Sequence, residues 1–499
     1  MARIYQTVGG NWEPKGSTEQ LHVYNGLDCL VTLEVLQVIR PKLNEITEKV
    51  YAHALTLQGP ILEMEARGVK VNLPARGKVL AIFEGRLAEV EASLREILED
   101  GVGVSINWNS PQQLQHLFYE VMGLPPVRKK GIITTDRKAL EKLRGYFYAE
   151  CIVNHILAIR DLKKKIGVLK TGIDADNRIR TSYNIAGTDT GRLSSYQSAF
   201  GSGTNLQNIT GELRYIYEAD QGKKLAYIDL EQAESRGVGA IIWNLFQDPT
   251  YLDFCESGDL HTSVCRMTWP ELPWTGNLKN DKAIAKQKFY RDFDYRDMAK
   301  RLGHGTNYYG QPPHMAKEIR VPVDTVSTFQ RQYFKAFPGI SEWHAWVKNK
   351  LYRDGWITTF MGRHRQFMGR RWEAETLRSA IAFEPQSAVA DYLNKGLLAV
   401  WKSRRVELLL QVHDAIVFQY DERDENEVVP AVMKMLELEV PLLHGRSLII
   451  PTEAFVGWNW GYTHNAKKEH TNPDGLIAFI GADSRERTKP VAFLDRKFY

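Results

Sequence analysis

Apolar residues recur at helical spacing through the first third of the chain. A helix is expected over Gly26–Val50 and a second over Val50–Gly68, where Arg67-Gly68 is a C-terminal stop. Val69–Asn72 then leaves the helix. Val79, Ile82, Leu87, Val90, Leu94 and Leu98 put one apolar face on a long helix over Pro74–Asp100. Ser110-Pro111 reads as an N-cap followed by proline at the first helical position, and another helix starts near Thr135-Asp136. From Arg178 the character changes. Arg178–Ile185 alternates weakly, as a strand does, and Ala186–Asn208 is a polar stretch rich in Gly, Ser and Thr, expected to be a long functional loop. Lys224–Leu230 reads as a buried strand. Helices are expected from Glu234 to about Phe383, broken at Pro270, Pro273, Pro312-Pro313 and Pro338-Gly339. Leu408–Val412 and Ala415–Tyr420 are apolar runs joined by His413-Asp414, the pattern of a tight hairpin. After Gly461 the chain turns polar. The order helices, sheet, helices, sheet implies an α+β, discontinuous domain whose two sheet segments flank a helical insertion.

Composition mainly excludes classes. A chain of 499 residues, 43% of them hydrophobic, can bury a large core without disulfides, and it is neither collagen-like nor disordered. It has no apolar run of about 18 residues, so no membrane partner is expected. Met1–Gly16 has no secretory or transit pattern. Cys29, Cys151, Cys255 and Cys265 form no CxxC pair, and reduced thiols in a cytoplasmic protein are expected. Charge is more informative. Between Arg128 and Arg192 there are 15 Lys/Arg against 7 Asp/Glu, a surplus larger than the whole chain's +5. That points to a polyanionic partner, nucleic acid first, with a solvated helical face as the alternative.

Three groups of residues carry candidate chemistry. Asp229 ends the apolar run Leu225–Ile228, and Asp414 sits in the hairpin turn. An ionised carboxylate at a buried strand end needs a partner, and Mg²⁺ is a natural one. Two such aspartates on adjacent strands could hold two metals ~3.5–4 Å apart for in-line phosphoryl transfer; two unrelated turn aspartates are the plainer alternative. Second, Arg296, Lys300, His304 and Tyr308 recur at every fourth position and stay on one helical face, with Gly303, Gly305 and Gly310 implying close packing or a hinge. Cations suit phosphates and a ring suits a base, although a surface helix would show the same stripe. Third, Thr190–Ser195, with Arg192 central, and Asn205–Asn208 offer hydrogen-bonding groups that can read minor-groove acceptors.

In order and spacing these elements resemble the family A DNA polymerases, the class of bacterial DNA polymerase I and its phage relatives. Asp229–Arg236 (DLEQAESR) resembles the first palm motif, Arg296–Gly310 the fingers helix, and Gln411–Asp414 (QVHD) the second palm motif. TGRLSS, NLQN, Asp259-Leu260-His261 and Arg378 through Gln386 also match, over roughly residues 50–465. The resemblance implies a right-hand fold. The thumb would span 51–170, the palm 171–236 and 373–465, the fingers 237–372, and a tail 466–499. It implies that Asp229 and Asp414, with the Leu230 carbonyl, hold two Mg²⁺ ions (Mn²⁺ as a substitute), and that Lys300 is catalytic with them. Arg296, Lys300, His304, Tyr308, His261, Gln232 and Glu234 would bind the dNTP, Tyr308 stacking at the nascent pair and Glu234 blocking a ribose 2′-OH. Thr190, Arg192, Asn205, Gln207, Asn208, Arg378, Gln386, Gln411, His413 and the run Lys163, Lys164, Lys165 would contact primer-template DNA.

The sequence departs from the family pattern in places. Ala415 stands where Glu is usual, Ala382 where Asn is common, His304 where Phe or Tyr is usual, and Tyr309 where Gly is usual. Tyr24 and Asp28 resemble the last motif of a proofreading exonuclease that precedes this polymerase, so residues 1–50 read as its remnant. The other exonuclease carboxylates have no room before Tyr24, so the chain is expected to be either a truncated piece of a longer protein or one whose exonuclease lies elsewhere, with a separate exonuclease chain or a processivity factor as a candidate partner. A dead nucleic-acid-binding relative would be expected to lose Asp229 or Asp414. A lone nuclease would need clustered carboxylates near Tyr24, and a single-subunit RNA polymerase would not be expected to carry a Glu at 234. The expected function is DNA-directed DNA polymerisation in a bacterium or phage-infected cell.

Overall fold

A computed structural model describes residues 17–198, 201–290, 293–464 and 471–481. Met1–Gly16 and the end of the polar tail, 482–499, lie outside the described residues. Contacts divide the chain into two compact units, Met1–Leu57 with Gly237–Asp391, and Gln58–Arg236 with Tyr392–Tyr499.

The second of these units is built on a five-stranded antiparallel sheet, in the order Glu407–Val412, Ala415–Asp421, Lys223–Leu230, Thr452–Gly457, Ile477–Ala478. The expected hairpin forms one edge, with Val412 opposite Ala415 and only His413 and Asp414 between them. Lys223–Leu230 is central, and Leu225, Ala226 and Ile228 are fully buried, which is why it reads as a continuous apolar run and not an alternating one. Register places Asp229 between Ala415 on one neighbour and Glu453 on the other. The strand Ile477–Ala478 lies in the segment read as tail; at two residues it is too short to leave a periodic signal. Helices Leu73–Glu96 and Phe147–Lys170 run antiparallel. Lys170 meets Glu84 and Lys163 meets Glu91, each at 2.7 Å, and His155 meets Ser93 at 3.2 Å.

The other unit has an aromatic core around Trp343, Tyr333, Phe329, Phe337 and Tyr251. Pro312 and Pro338 open helices Pro312–Ile319 and Pro338–Asp354, where a missing N–H is harmless. Several expectations change, among them the helix expected over Val50–Gly68, which is the end of Glu45–Thr56 and a separate helix, Gln58–Arg67. The helix expected over Gly26–Val50 is two, Thr18–Ile39 and Glu45–Thr56, because Pro41 cannot continue the first and Asn44 caps the second. The helical run 234–383 contains two short hairpins, Lys288–Tyr290 with Phe293–Asp294 and Trp356–Thr358 with His364–Gln366. In the unit built on the sheet, the loop Ala186–Asn208 contains a strand, Ser194–Gln197, paired with Thr181–Asn184.

Glu384 is 5% exposed in this aromatic core, and Trp343 Nε1 donates to its Oε2 at 3.3 Å. Burial pushes its carboxyl up to about 7 from an ordinary 4.5. The unfolded chain therefore releases this proton near pH 4.5 and the folded chain only near 7, so stability falls as pH rises across that window. Glu384→Gln should stabilise the protein by on the order of 2 kcal/mol at pH 8 and by almost nothing at pH 4. Denaturant titration at both pH values checks this; equal shifts would show that the carboxyl is ionised in the fold.

Candidate active site

The central strand ends at Asp229-Leu230 and the chain turns at once into helix Ala233–Phe246. Gln232 takes φ 52° in that turn, and His413 takes φ 55° in the hairpin turn. A positive φ at the first residue of a two-residue hairpin loop matches the strand twist, but glycine is its usual occupant. Both left-handed positions lie at one end of the sheet, where Leu230 N donates to Asp414 O at 3.2 Å. Strain of this kind persists where the surroundings over-determine it, and it gathers at functional sites.

Asp414 carries the clearest electrostatic mark. Burial pushes its carboxyl above the ordinary range; Arg192 opposes this, and the Glu234 carboxylate adds to it. Arg192 Nη2 lies 3.4 Å from Asp414 Oδ1 and is also ion-paired with Glu234, in the first turn of its helix. One guanidinium thus bridges two carboxylates beside the strand end that bears Asp229. These are hard oxygen donors in a partial set, the kind that Mg²⁺ completes with water and phosphate oxygens, so the residues fit that ion. Among the described residues no three His, Cys, Asp or Glu side chains form a cage by themselves.

Buried amides brace the hairpin turn from behind. Gln207 Nε2 donates to Gln411 Oε1 at 2.8 Å, Gln411 Nε2 donates to His413 O, and the Tyr183 hydroxyl donates to Gln411 O at 3.0 Å. Burial pushes that hydroxyl well up, so it stays a donor. Gln207 and Gln411, both expected to contact DNA, are 8% and 4% exposed, and their amides pair within this brace. Asn205 exchanges 2.6 Å hydrogen bonds with Ser195, and Thr190 lies 3.4 Å from the Thr188 hydroxyl. Lys163 is paired with Glu91, and Lys165 with Asp161 and Glu212. Lys164, Asn208 and Arg378 are exposed, and Gln386 is half-buried two turns beyond Arg378. Glu453 was not anticipated: nothing local marks a residue whose relevance comes from lying across the sheet from Asp229.

The cation stripe belongs to the other unit. On helix Tyr295–Asn307 Met298, Ala299, Leu302, Thr306 and Asn307 are buried, whereas Arg296, Lys300, His304 and the capping Tyr308 lie on the open face. The His304 and Tyr308 rings meet at 4.7 Å. Gly310 is needed for close packing, since a Cβ there would fall 2.7 Å from the Gly305 carbonyl oxygen, whereas at Gly305 it would meet the flexible end of Met315. His261, on helix Leu260–Thr268, joins this group. Burial first, then Arg296 and Lys300, pull its imidazole down to about 4, so at neutral pH it is an uncharged donor and not a third cation. Asp259 was quoted above only as part of a motif. It caps that helix and receives Arg296 Nε at 2.9 Å and Nη2 at 3.1 Å. Burial alone would raise its carboxyl, but Arg296 and Thr262 hold it at about 2. The same unit holds Tyr24 and Asp28, one turn apart on helix Thr18–Ile39.

Comparison with known proteins bears on both groups. The family model "DNA polymerase family A" matches residues 78–462. The chain is 26% identical over 420 residues to DNA polymerase I of Helicobacter pylori, covering 80% of this chain and 42% of that one. It is 27% identical over 462 residues to the thermostable DNA polymerase I of Thermus filiformis, covering 87% and 50%. The chain thus spans about half the length of these curated relatives. Among solved structures it is similar to the POL domain of Pol1 from M. smegmatis, in complex with DNA primer-template and dNTP. There the TM-score is 0.68 at 24% identity, over 81% of this chain and 70% of that one. The fold is shared with that polymerase domain.

Proposed function

The chain belongs to DNA polymerase family A, and from that premise we propose that it is a template-directed DNA polymerase that adds dNTPs to a primer 3′ end. The observation that carries the reading is the pairing of two strained turns, which bring Asp229 and Asp414 to one end of the sheet beside Arg192 and Glu234.

In this reading the sheet unit is palm with a helical thumb, and the unit bearing the cation stripe is fingers. Asp229, Asp414 and the Leu230 carbonyl would hold two Mg²⁺ ions, which when bound supply charge neutralisation and an activated primer hydroxyl. Lys300 and Arg296 bind the triphosphate as fixed cations, with Arg296 pre-oriented by Asp259. His261 adds a neutral N–H donor, and Tyr308 offers its ring to the nascent base pair. Glu234 crowds the sugar and excludes a 2′-OH. Arg192, released from Asp414 and Glu234, turns to the primer terminus, and Gln207 and Gln411 act by holding the Asp414 turn. The thumb's basic surface, Lys164 among it, holds the phosphate backbone. Residues 17–50 are read as the end of an exonuclease-type segment, and a processivity factor is a candidate partner. Among the described residues no helix is long and apolar enough to cross a membrane, and the working place of such an enzyme is the cytoplasm of a bacterium or phage-infected cell. Primer extension with purified protein, dNTPs and Mg²⁺ on a primed template tests the reading; no product at any Mg²⁺ or Mn²⁺ concentration would refute it.

A further inference from the structure

The end of the cation-stripe helix is held by a buried polar group that the reading above does not use. Asn307 Nδ2 donates to the Tyr251 hydroxyl at 2.8 Å, and the Tyr333 hydroxyl donates to Asn307 Oδ1 at 3.1 Å. The two hydroxyls lie 3.0 Å apart. With Tyr333's proton directed at the amide oxygen, Tyr251 must donate to Tyr333, and the three groups close a ring in which each donates once and accepts once. His344 Nε2 lies 2.8 Å from the Asn307 carbonyl; a carbonyl only accepts, so Nε2 carries the proton. Asn307, Tyr251 and Tyr333 are at most 3% exposed, in a core otherwise made of Phe329, Phe337 and Trp343.

A leucine would fill position 307 without any polar group to satisfy. A polar ring of this kind in an apolar core instead favours a single geometry, because breaking any of its links leaves a buried group unpaired. That geometry is imposed on the turn that follows. Gly310 N donates to Gly305 O at 2.8 Å and Tyr309 N to Thr306 O at 3.1 Å, with Tyr309 at φ 61° where such helix ends normally carry glycine. The Tyr309 ring meets His344 edge-on at 5.2 Å, and Gln330 Nε2 donates to Gly310 O at 2.7 Å. Both residues flanking Tyr308 are thereby fixed.

We propose that Asn307 is a positioning residue for nucleotide selection: its ring with Tyr251 and Tyr333, and His344 on its carbonyl, lock the helix end that presents Tyr308 to the nascent base pair. This rests on the polymerase reading and deepens it. The closing experiment compares Asn307→Leu and Tyr333→Phe with wild type. Tyr333→Phe removes only a hydroxyl and keeps the ring contacts to Phe329 and Phe337 at 5.4 and 5.1 Å. Steady-state insertion of correct and incorrect dNTPs is measured together with amide hydrogen exchange at Tyr308 and Tyr309. Both variants should raise KM for the correct dNTP roughly ten-fold with kcat within about threefold, and lower the correct-to-incorrect ratio about ten-fold. Exchange at the two amides should quicken by a similar factor. Unchanged KM and insertion ratio, with or without a lower Tm, would overturn the proposal and leave the ring as ordinary core. Wild type that extends no primer would defeat the polymerase reading instead, and unchanged exchange at Tyr308 and Tyr309 would by itself defeat the positioning claim.

Discussion

Asp229→Ala and Asp414→Ala should each lower primer extension by at least about a thousand-fold while leaving primer-template affinity within about threefold. The separation follows from where the charges sit. In the polymerase reading, binding draws on many cations spread along the phosphate backbone, so removing one carboxylate should change it little. In that reading the chemistry draws on hard oxygen donors at one point, and those are the residues deleted. Arg192 stays ion-paired with Glu234 when Asp414 is removed, so the site should not collapse. Asp414→Asn keeps the shape of the turn and removes only the charge, and it should be as inactive as the alanine variant. Rapid-quench extension and a filter-binding isotherm give the two quantities. Activity within tenfold of wild type in either aspartate variant would remove it from the catalytic centre.

Glu234→Ala should raise ribonucleotide incorporation relative to deoxyribonucleotide by roughly 10–100-fold. Discrimination by one excluded or admitted group in a pocket amounts to about 1–3 kcal/mol in transition-state binding. Glu234 is well placed for such exclusion because its helix begins right after the strand-end turn; its carboxylate is ion-paired with Arg192. The variant also loses that ion pair, so Arg192→Ala is the control: it should weaken extension of both nucleotide types without shifting their ratio. A ratio unchanged in Glu234→Ala would place the exclusion on another side chain.

Much of the sheet was legible because its signals are local. The hairpin reads as two apolar runs around His413-Asp414, and the central strand as a run ending in Asp229. The stripe Arg296, Lys300, His304, Tyr308 was legible because four-residue spacing and a helix face are the same fact. What escaped depends on tertiary neighbours. Gln207 and Gln411 are 204 positions apart and meet only because the fold closes, so the hydrogen bond between their amides left no mark in the sequence. Burial likewise decides the charge of His261, which the sequence left open: it is a neutral donor beside Arg296 and Lys300. Glu453 gains its interest from strand register alone: it flanks Asp229 opposite Ala415, the position where the third carboxylate of the family pattern is missing. The two-residue and three-residue strands were beyond any periodicity. The break at Pro41 was written in the sequence, but the surrounding apolar spacing masked it.

The most direct measurement offers each dNTP singly to the protein on four primed templates that differ only at the next template base. Template-directed polymerisation on the aspartate pair gives one-nucleotide extension by the complementary dNTP alone, dependent on Mg²⁺ and absent from Asp229→Asn and Asp414→Asn. Extension that ignores the template base, or that survives in either asparagine variant at wild-type rate, would contradict it.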